Sequence, residues 1–177
     1  MPLVVVHFWH GRDPLRIESC DPTSEALDEI VTQHLAAPLA WDPAWTITDE
    51  DVVSTKGLMT SQLEDGSGLI LFTKRLERLT GFVWAFDPMS VGAAPGPEPS
   101  LHVGSPWVAP SQRAQGLSRQ LVEKLECRAS ASGTCIITSE VHAANTAMQS
   151  IQARWGYRNV ARAGDWLQYE KSLTAKQ

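Results

Sequence analysis

No stretch of this 177-residue chain approaches the roughly 20 consecutive apolar residues that a bilayer span needs. Cysteine is scarce. Cys20, Cys127 and Cys135 lie far apart, and no pair has the close spacing of a zinc or redox site. They are expected to be reduced, mostly buried thiols in a cytoplasmic protein. Basic residues are in deficit, 15 Lys and Arg against 20 Asp and Glu, for a formal charge of -5. That balance argues against nucleic acid or an anionic membrane surface as the main partner. No basic region precedes Val4, Val5 and Val6, and no small-residue cleavage site follows them, so they read as strand and not as a signal peptide. His7, His10 and His34 show no ligand spacing with one another, and no metal site is expected.

What is present suffices for a core. About 43% of residues are apolar, and the length suits a single domain over residues 1–177, sustained without disulfides or metal. Seven tryptophans can serve as core or as cleft walls. No internal repeat is visible. Residues 3–9 and 15–19 predict an N-terminal hairpin around the turn chemistry of His10 to Pro14. Leu27, Ile30, Val31, His34 and Leu35 recur at helical spacing and predict a helix over 23–36, stopped at Pro38. Residues 39–47, with Trp41 and Trp45 among prolines, read as a loop. Thr48 followed by Asp49, Glu50 and Asp51 caps a second helix that ends near Glu64.

The second half alternates differently. Residues 68–73 and 81–86 are apolar strands joined by a charged hairpin over 74–80. Residues 87–99, rich in Gly, Pro and Ala, form a long connection. Residues 101–108 predict a strand, 115–130 a helix with Leu117, Leu121, Val122 and Leu125 on one face, and 135–141 a strand. Residues 144–155 predict a helix stopped by Gly156. Residues 157–161 and 166–173 close the chain as a hairpin. The strand, helix and strand over 101–141 make a right-handed βαβ crossover. The fold class is therefore α/β, a mixed and mostly antiparallel central sheet with flanking helices.

The densest chemistry lies at residues 108–118. A strand ends at Val108, a short loop turns, and a helix starts near Gly116. Unpaired N–H groups and the positive end of the helix dipole suit an anion there. Small residues let the backbone approach a ligand, and Arg113 adds a charged contact. No Gly-Lys-Ser/Thr follows, so this is not a Walker loop. The three glycines of a dinucleotide fingerprint are missing as well. On these residues alone, an anion site and a plain strand-to-helix turn are both open.

The series Val108, Pro110, Arg113, Gly116, Ser118, Leu121 resembles the first signature of the GNAT acetyltransferases, Val-x-Pro-x-x-Arg-x-x-Gly-x-small-x-x-Leu. Glu140, Val141, Asn145, Met148, Ile151, Gly156 and Tyr157 resemble its second. The resemblance covers residues 69–173. It implies a GNAT fold and an enzyme that moves an acetyl group from acetyl-CoA, as cosubstrate, to a primary amine in a ternary complex. It implies that the backbone at Arg113, Ala114, Gln115, Gly116, Leu117 and Ser118 holds the pyrophosphate. Trp107 and Val108 would bond the pantetheine arm, one amide there would stabilise the oxyanion, and Asn145 would contact the same arm. The acceptor would be a small-molecule amine or a protein amine, and the protein a monomer or homodimer.

Ala114 stands where the family usually has Gly, and Ser118 where it has Gly or Ala. Gln152 stands where the family has a Tyr that protonates the departing thiolate. Gln cannot do this. Either the thiolate leaves without an acid, or Tyr157 or Tyr169 serves. Glu140 aligns with the base of ribosomal-protein alanine acetyltransferases, and His102 falls where histone-type members carry a strand Glu. Each is a candidate catalytic base. The plain alternatives are a solvated strand-end carboxylate and a structural histidine. The rival functional reading is a catalytically weak acyl-CoA-binding or regulatory module.

Overall fold

The computed structural model describes residues 16–93 and 96–173. The expected strand at residues 3–9 lies outside them. Its predicted hairpin partner does form a short strand, β1 (Glu18–Ser19), which pairs antiparallel with the later segment Leu71 and Phe72. Helix α1 (Ala26–Ala36) starts later than residue 23. The Asp21 carboxylate accepts from Thr23 N–H at 2.9 Å, and Ser24 N–H bonds Asp21 C=O, so this stretch closes a turn of its own first. Helix α2 (Asp49–Glu64) opens on the predicted cap. Thr48 Oγ1 accepts from Asp51 N–H at 3.2 Å and Asp51 Oδ2 accepts from Thr48 N–H at 2.8 Å, a reciprocal capping box.

Strands β2 (Gly68–Arg75) and β3 (Arg78–Phe86) run further than expected. The predicted charged hairpin over 74–80 shrinks to Leu76 and Glu77, both left-handed at φ 50° and 59°. Two consecutive left-handed residues match the right-handed twist of the strands, which lets the ladder continue almost to the tip. Then follow β4 (Ser100–Val108), α3 (Leu117–Ala131), β5 (Ile136–His142), α4 (Thr146–Arg154), β6 (Arg158–Ala163) and β7 (Trp166–Ser172). The seven strands lie in the order β1-β2-β3-β4-β5-β7-β6. The β4–β5 pair is parallel and the others are antiparallel, as a βαβ crossover inside an antiparallel sheet requires.

Strand alternation sends side chains to two faces. Leu71, Val83, Ala85, Val103 and Ile137 meet Leu117, Leu121, Val122 and Leu125 of α3. Ile70, Phe72, Phe82, Trp84 and Phe86 meet Leu27, Ile30 and Val31 of α1 and Met59 of α2. Gln62 of α2 is buried. Its Oε1 accepts from Trp84 Nε1 at 3.1 Å, and its Nε2 donates to Ser90 Oγ at 2.9 Å. That second bond holds the start of the long connection, a 3₁₀ turn at Pro88–Val91, against the helix. Asp87, before Pro88, accepts from Met89 N–H and so serves the turn.

His34 lies edge-on to Trp84, ring centroids 5.1 Å apart, and its Nδ1 is buried without a hydrogen-bond partner among the described residues. Burial pushes its pKa from 6.5 down to about 4. Below pH 6.5 the unfolded chain takes up this proton and the folded chain does not. Stability is therefore intact above that pH and falls by about 1.4 kcal/mol per unit below it, on the order of 3 kcal/mol by pH 4. Urea unfolding of the protein and of His34→Gln at pH 7, 6, 5 and 4 should show a shallower loss in the variant. Parallel pH curves would refute this role.

Candidate active site

The site begins where two strands part. The β4–β5 register runs from Ser100↔Ile136 to Val103↔Ser139 and stops, although β4 continues to Val108 and β5 to His142. A bulge explains the divergence. Trp84 pairs with Ser105 but Ala85 pairs with Val103, so Gly104 is an extra residue on β4. A Cβ at Gly104 would lie 2.9 Å from Trp84 Cε3 and 3.1 Å from Phe86 Cε1, so glycine lets the strand pass close to this aromatic wall.

Beyond the bulge, Ala109 N–H donates to Thr80 C=O at 2.9 Å. Because bonded pairs alternate along an antiparallel ladder, Trp107 then bonds Phe82, while Pro106 and Val108 turn their main-chain groups away from β3. Proline has no N–H. On that edge the donor is the Val108 amide. Val108 C=O accepts from Arg113 Nε at 3.1 Å.

This edge borders a cavity of about 760 Å³, within the range of small-ligand sites. The N-terminus of α3 opens into it. Gly116 is left-handed at φ 80° and Ala114 at φ 59°. The first bond into the helix is Gln120 N–H to Gly116 C=O, and the N–H groups of Ala114, Gln115, Gly116, Leu117, Ser118 and Arg119 have no partner among the described residues. Arg113, Arg119 and Arg154 add positive charge to the wall. A row of free N–H groups at a helix start with cations beside it is built for a phosphate-bearing ligand.

Trp107, Val108, Arg113, Ala114, Gly116, Leu117, Ser118 and Asn145 all line this cavity. Gln115 does not, and its side chain folds back to donate to Ser111 C=O at 3.2 Å. Asn145 Oδ1 caps α4 by accepting from Met148 N–H at 3.1 Å. Sequence reasoning missed the far wall, Ala36 at the end of α1 with Ala37, Ala40 and Trp41 behind it. The run of small residues around Pro38 was its one signal.

His102 and Glu140 come together in a second cavity of about 300 Å³ over β4, β5 and β7, which Ser139 and Tyr169 also line. His102 Nδ1 lies 3.1 Å from Thr138 Oγ1, and its ring packs against Phe86. Burial lowers the His102 pKa below 6.5, and the Glu140 charge acts in the opposite direction. Glu140 accepts from Gln168 Nε2 at 3.2 Å.

Gln152 on α4 is 3% exposed. Its Nε2 donates to Ser139 Oγ at 2.9 Å and its Oε1 has no partner among the described residues. Tyr157 lines neither cavity. Its hydroxyl donates to Glu126 Oε1 at 3.1 Å, and burial together with the Glu126 charge raises its pKa far above the usual phenol. Among the described residues, no group of three or more His, Cys, Asp or Glu side chains could hold a metal, and no helix is long and apolar enough to cross a membrane.

The model of the Acetyltransferase (GNAT) family matches residues 33–157. The chain belongs to this family. Its fold is that of PaiA N-acetyltransferase from Thermoplasma acidophilum, solved with coenzyme A, at TM-score 0.67 and 15% identity over 89% of this chain and 98% of that one. Ribosomal-protein-alanine N-acetyltransferase from Brucella melitensis superposes at 0.67 with 16% identity, over 90% and 100%. YncA from Salmonella typhimurium, solved with its cofactor acetyl-CoA, superposes at 0.63 with 17% identity, over 90% and 94%. No curated protein matches the sequence.

The left-handed Ala114 identifies a strained position in the loop, since a Cβ in that conformation costs about 1–2 kcal/mol. Ala114→Gly should raise stability in urea unfolding by about 1 kcal/mol. A loss of stability would show that the loop does not hold this conformation.

Proposed function

We propose that the chain transfers an acetyl group from acetyl-CoA to a primary amine by direct attack within a ternary complex. The observation that carries this reading is the row of N–H groups from Ala114 to Arg119 without partners among the described residues, opening on a cavity that reaches Pro106, Trp107 and Val108 of β4 in a chain of this family. Those groups and Arg113 would hold the pyrophosphate. The pantetheine arm would lie along the free edge of β4, beside Asn145. The amine nitrogen forms a bond to the thioester carbon, and the C–S bond then breaks. The Val108 N–H would stabilise the oxyanion between these steps.

His102 would accept the proton that the nitrogen loses, because its ring is held neutral by burial and Nδ1 is already engaged with Thr138. Glu140 would draw the ammonium group in. The departing thiolate leaves without an acid. That fits Gln152, whose amide is tied to Ser139 and has no proton to give at neutral pH. The same residue motivates a second reading, a weakly catalytic acyl-CoA-binding module. Release of CoA thiol on adding an amine, diminished in His102→Ala, separates the two.

Acetyl-CoA at 100 times its Kd should stabilise the fold by about 2.7 kcal/mol. Absence of any stabilisation would remove the central claim. His102→Ala should lower kcat/KM by about 100-fold. The profile of kcat/KM should carry an acid limb below pH 6.5, and Glu140→Gln should move that limb to lower pH, because the carboxylate raises the His102 pKa. A limb that stays in place would show that Glu140 does not act on His102.

A further inference from the structure

We propose that Gln62 of α2 is a positioning residue for the amine acceptor, holding the Pro88 wall of the smaller cavity and the aromatic wall behind His102 in one fixed arrangement. This rests on the acetyl-transfer reading, in which the amine meets His102 and Glu140 in that cavity. Gln62 lines neither cavity, so it touches no reacting atom. It is 2% exposed, and Met59 is the other buried residue of α2. A buried amide costs free energy that an apolar side chain of similar size does not, unless both its ends are bonded. Here both ends are bonded, and each bond leads to a different wall of the cavity.

The partners fix the orientation of the amide. An indole N–H can only donate, so Oε1 faces Trp84 Nε1, at 3.1 Å. That leaves Nε2 to donate to Ser90 Oγ at 2.9 Å. Turning the amide over would set one N–H against another and break the Trp84 bond. A fully satisfied buried amide of this kind specifies a single arrangement of its neighbours.

Through Ser90 the amide holds the start of the long connection. Ser90 Oγ donates in turn to Asp87 C=O at 2.7 Å, and Asp87 N–H donates to Ser67 C=O at 2.7 Å. Met89 and Val91 of this 3₁₀ turn are exposed, so polar bonds hold the turn more than burial of its larger side chains does. Pro88 of the same turn lines the smaller cavity, as do Pro97 and Glu98 further along the connection. Through Trp84 the amide reaches the base. Trp84 packs on Phe86 with ring centroids 4.8 Å apart, and Phe86 packs on His102 at 5.1 Å. Gly104, where β4 bulges, lies against the same Trp84 and Phe86 rings. One side chain thus ties the wall that meets the body of the acceptor to the imidazole that takes its proton.

Thiol release should be measured at saturating acetyl-CoA with n-butylamine, benzylamine and an alanine-led tripeptide, the best of the three serving as the probe. Ser90 is exposed, so Ser90→Ala should fold. It should raise KM for the amine by about fivefold, one net hydrogen bond's worth, with kcat and the acetyl-CoA stabilisation unchanged. Ser90→Thr keeps the hydroxyl and should restore KM. Gln62→Leu should raise KM similarly and lower kcat by about tenfold, because Trp84 loses its bond too and the imidazole its placement. An amide that served stability alone would lower the urea midpoint in these variants and move neither constant. An unchanged KM in Ser90→Ala, or a rise that Ser90→Thr does not reverse, overturns the inference and leaves acetyl transfer standing, even where Gln62→Leu does not fold. No thiol release from the unaltered protein with any of the three amines overturns the transfer reading and this inference with it.

Discussion

The separation of β4 from β5 after Val103 and Ser139 is the constraint on which the rest of the molecule depends. A parted pair in the middle of a sheet leaves main-chain groups without partners, and buried N–H and C=O groups must be satisfied. Here Arg113 reaches back to Val108 C=O, Pro106 removes one donor altogether, and the Val108 N–H remains for a ligand. Gly104 makes the bend possible, because any Cβ there would meet Trp84 and Phe86. The opening is thus produced by packing on one face of the sheet and used at its edge.

A sheet divided in this way needs ties across the division. One is the α3 core, whose Leu121 and Leu125 are fully buried in the cluster that also holds Leu71, Val83 and Ile137. Another is ionic. Lys171 of β7 donates to both oxygens of Glu126 on α3, each at 2.7 Å, with side-chain exposures of 19% and 12%. Tyr157 donates to the same carboxylate. Removing one partner from such a buried cluster would strand a charge in low dielectric. The cluster fastens α3 to the β5–β7 half, while the hydrophobic face fastens it to the β2–β4 half.

Electrostatics then divides the two cavities. Arg113, Arg119 and Arg154 with the start of α3 make the larger one positive, while Glu98, Glu140 and Glu170 make the smaller one negative.

Local signals in the sequence went a long way. Thr48 and Asp51 fixed the start of α2, and apolar spacing gave α3. The run from Val108 to Ser118 marked the turn whose N–H groups stay free, because helix starts and caps depend on neighbours in the chain. The left-handed Ala114 explains why glycine is usual there. What the sequence could not contain was convergence. That His102 and Glu140 share one recess follows from β4 and β5 being adjacent. That Gln168 and Glu170 border it follows from β7, rather than β6, pairing with β5. Gln115 turned away from the cleft to Ser111, and Asn145 spent its carbonyl on a helix cap, both through contacts within one turn of the chain, while the alanines at and after the end of α1 became a wall beside distant segments. Periodicity reports which face a residue occupies. Only the strand order and the bulge at Gly104 decide what that face meets.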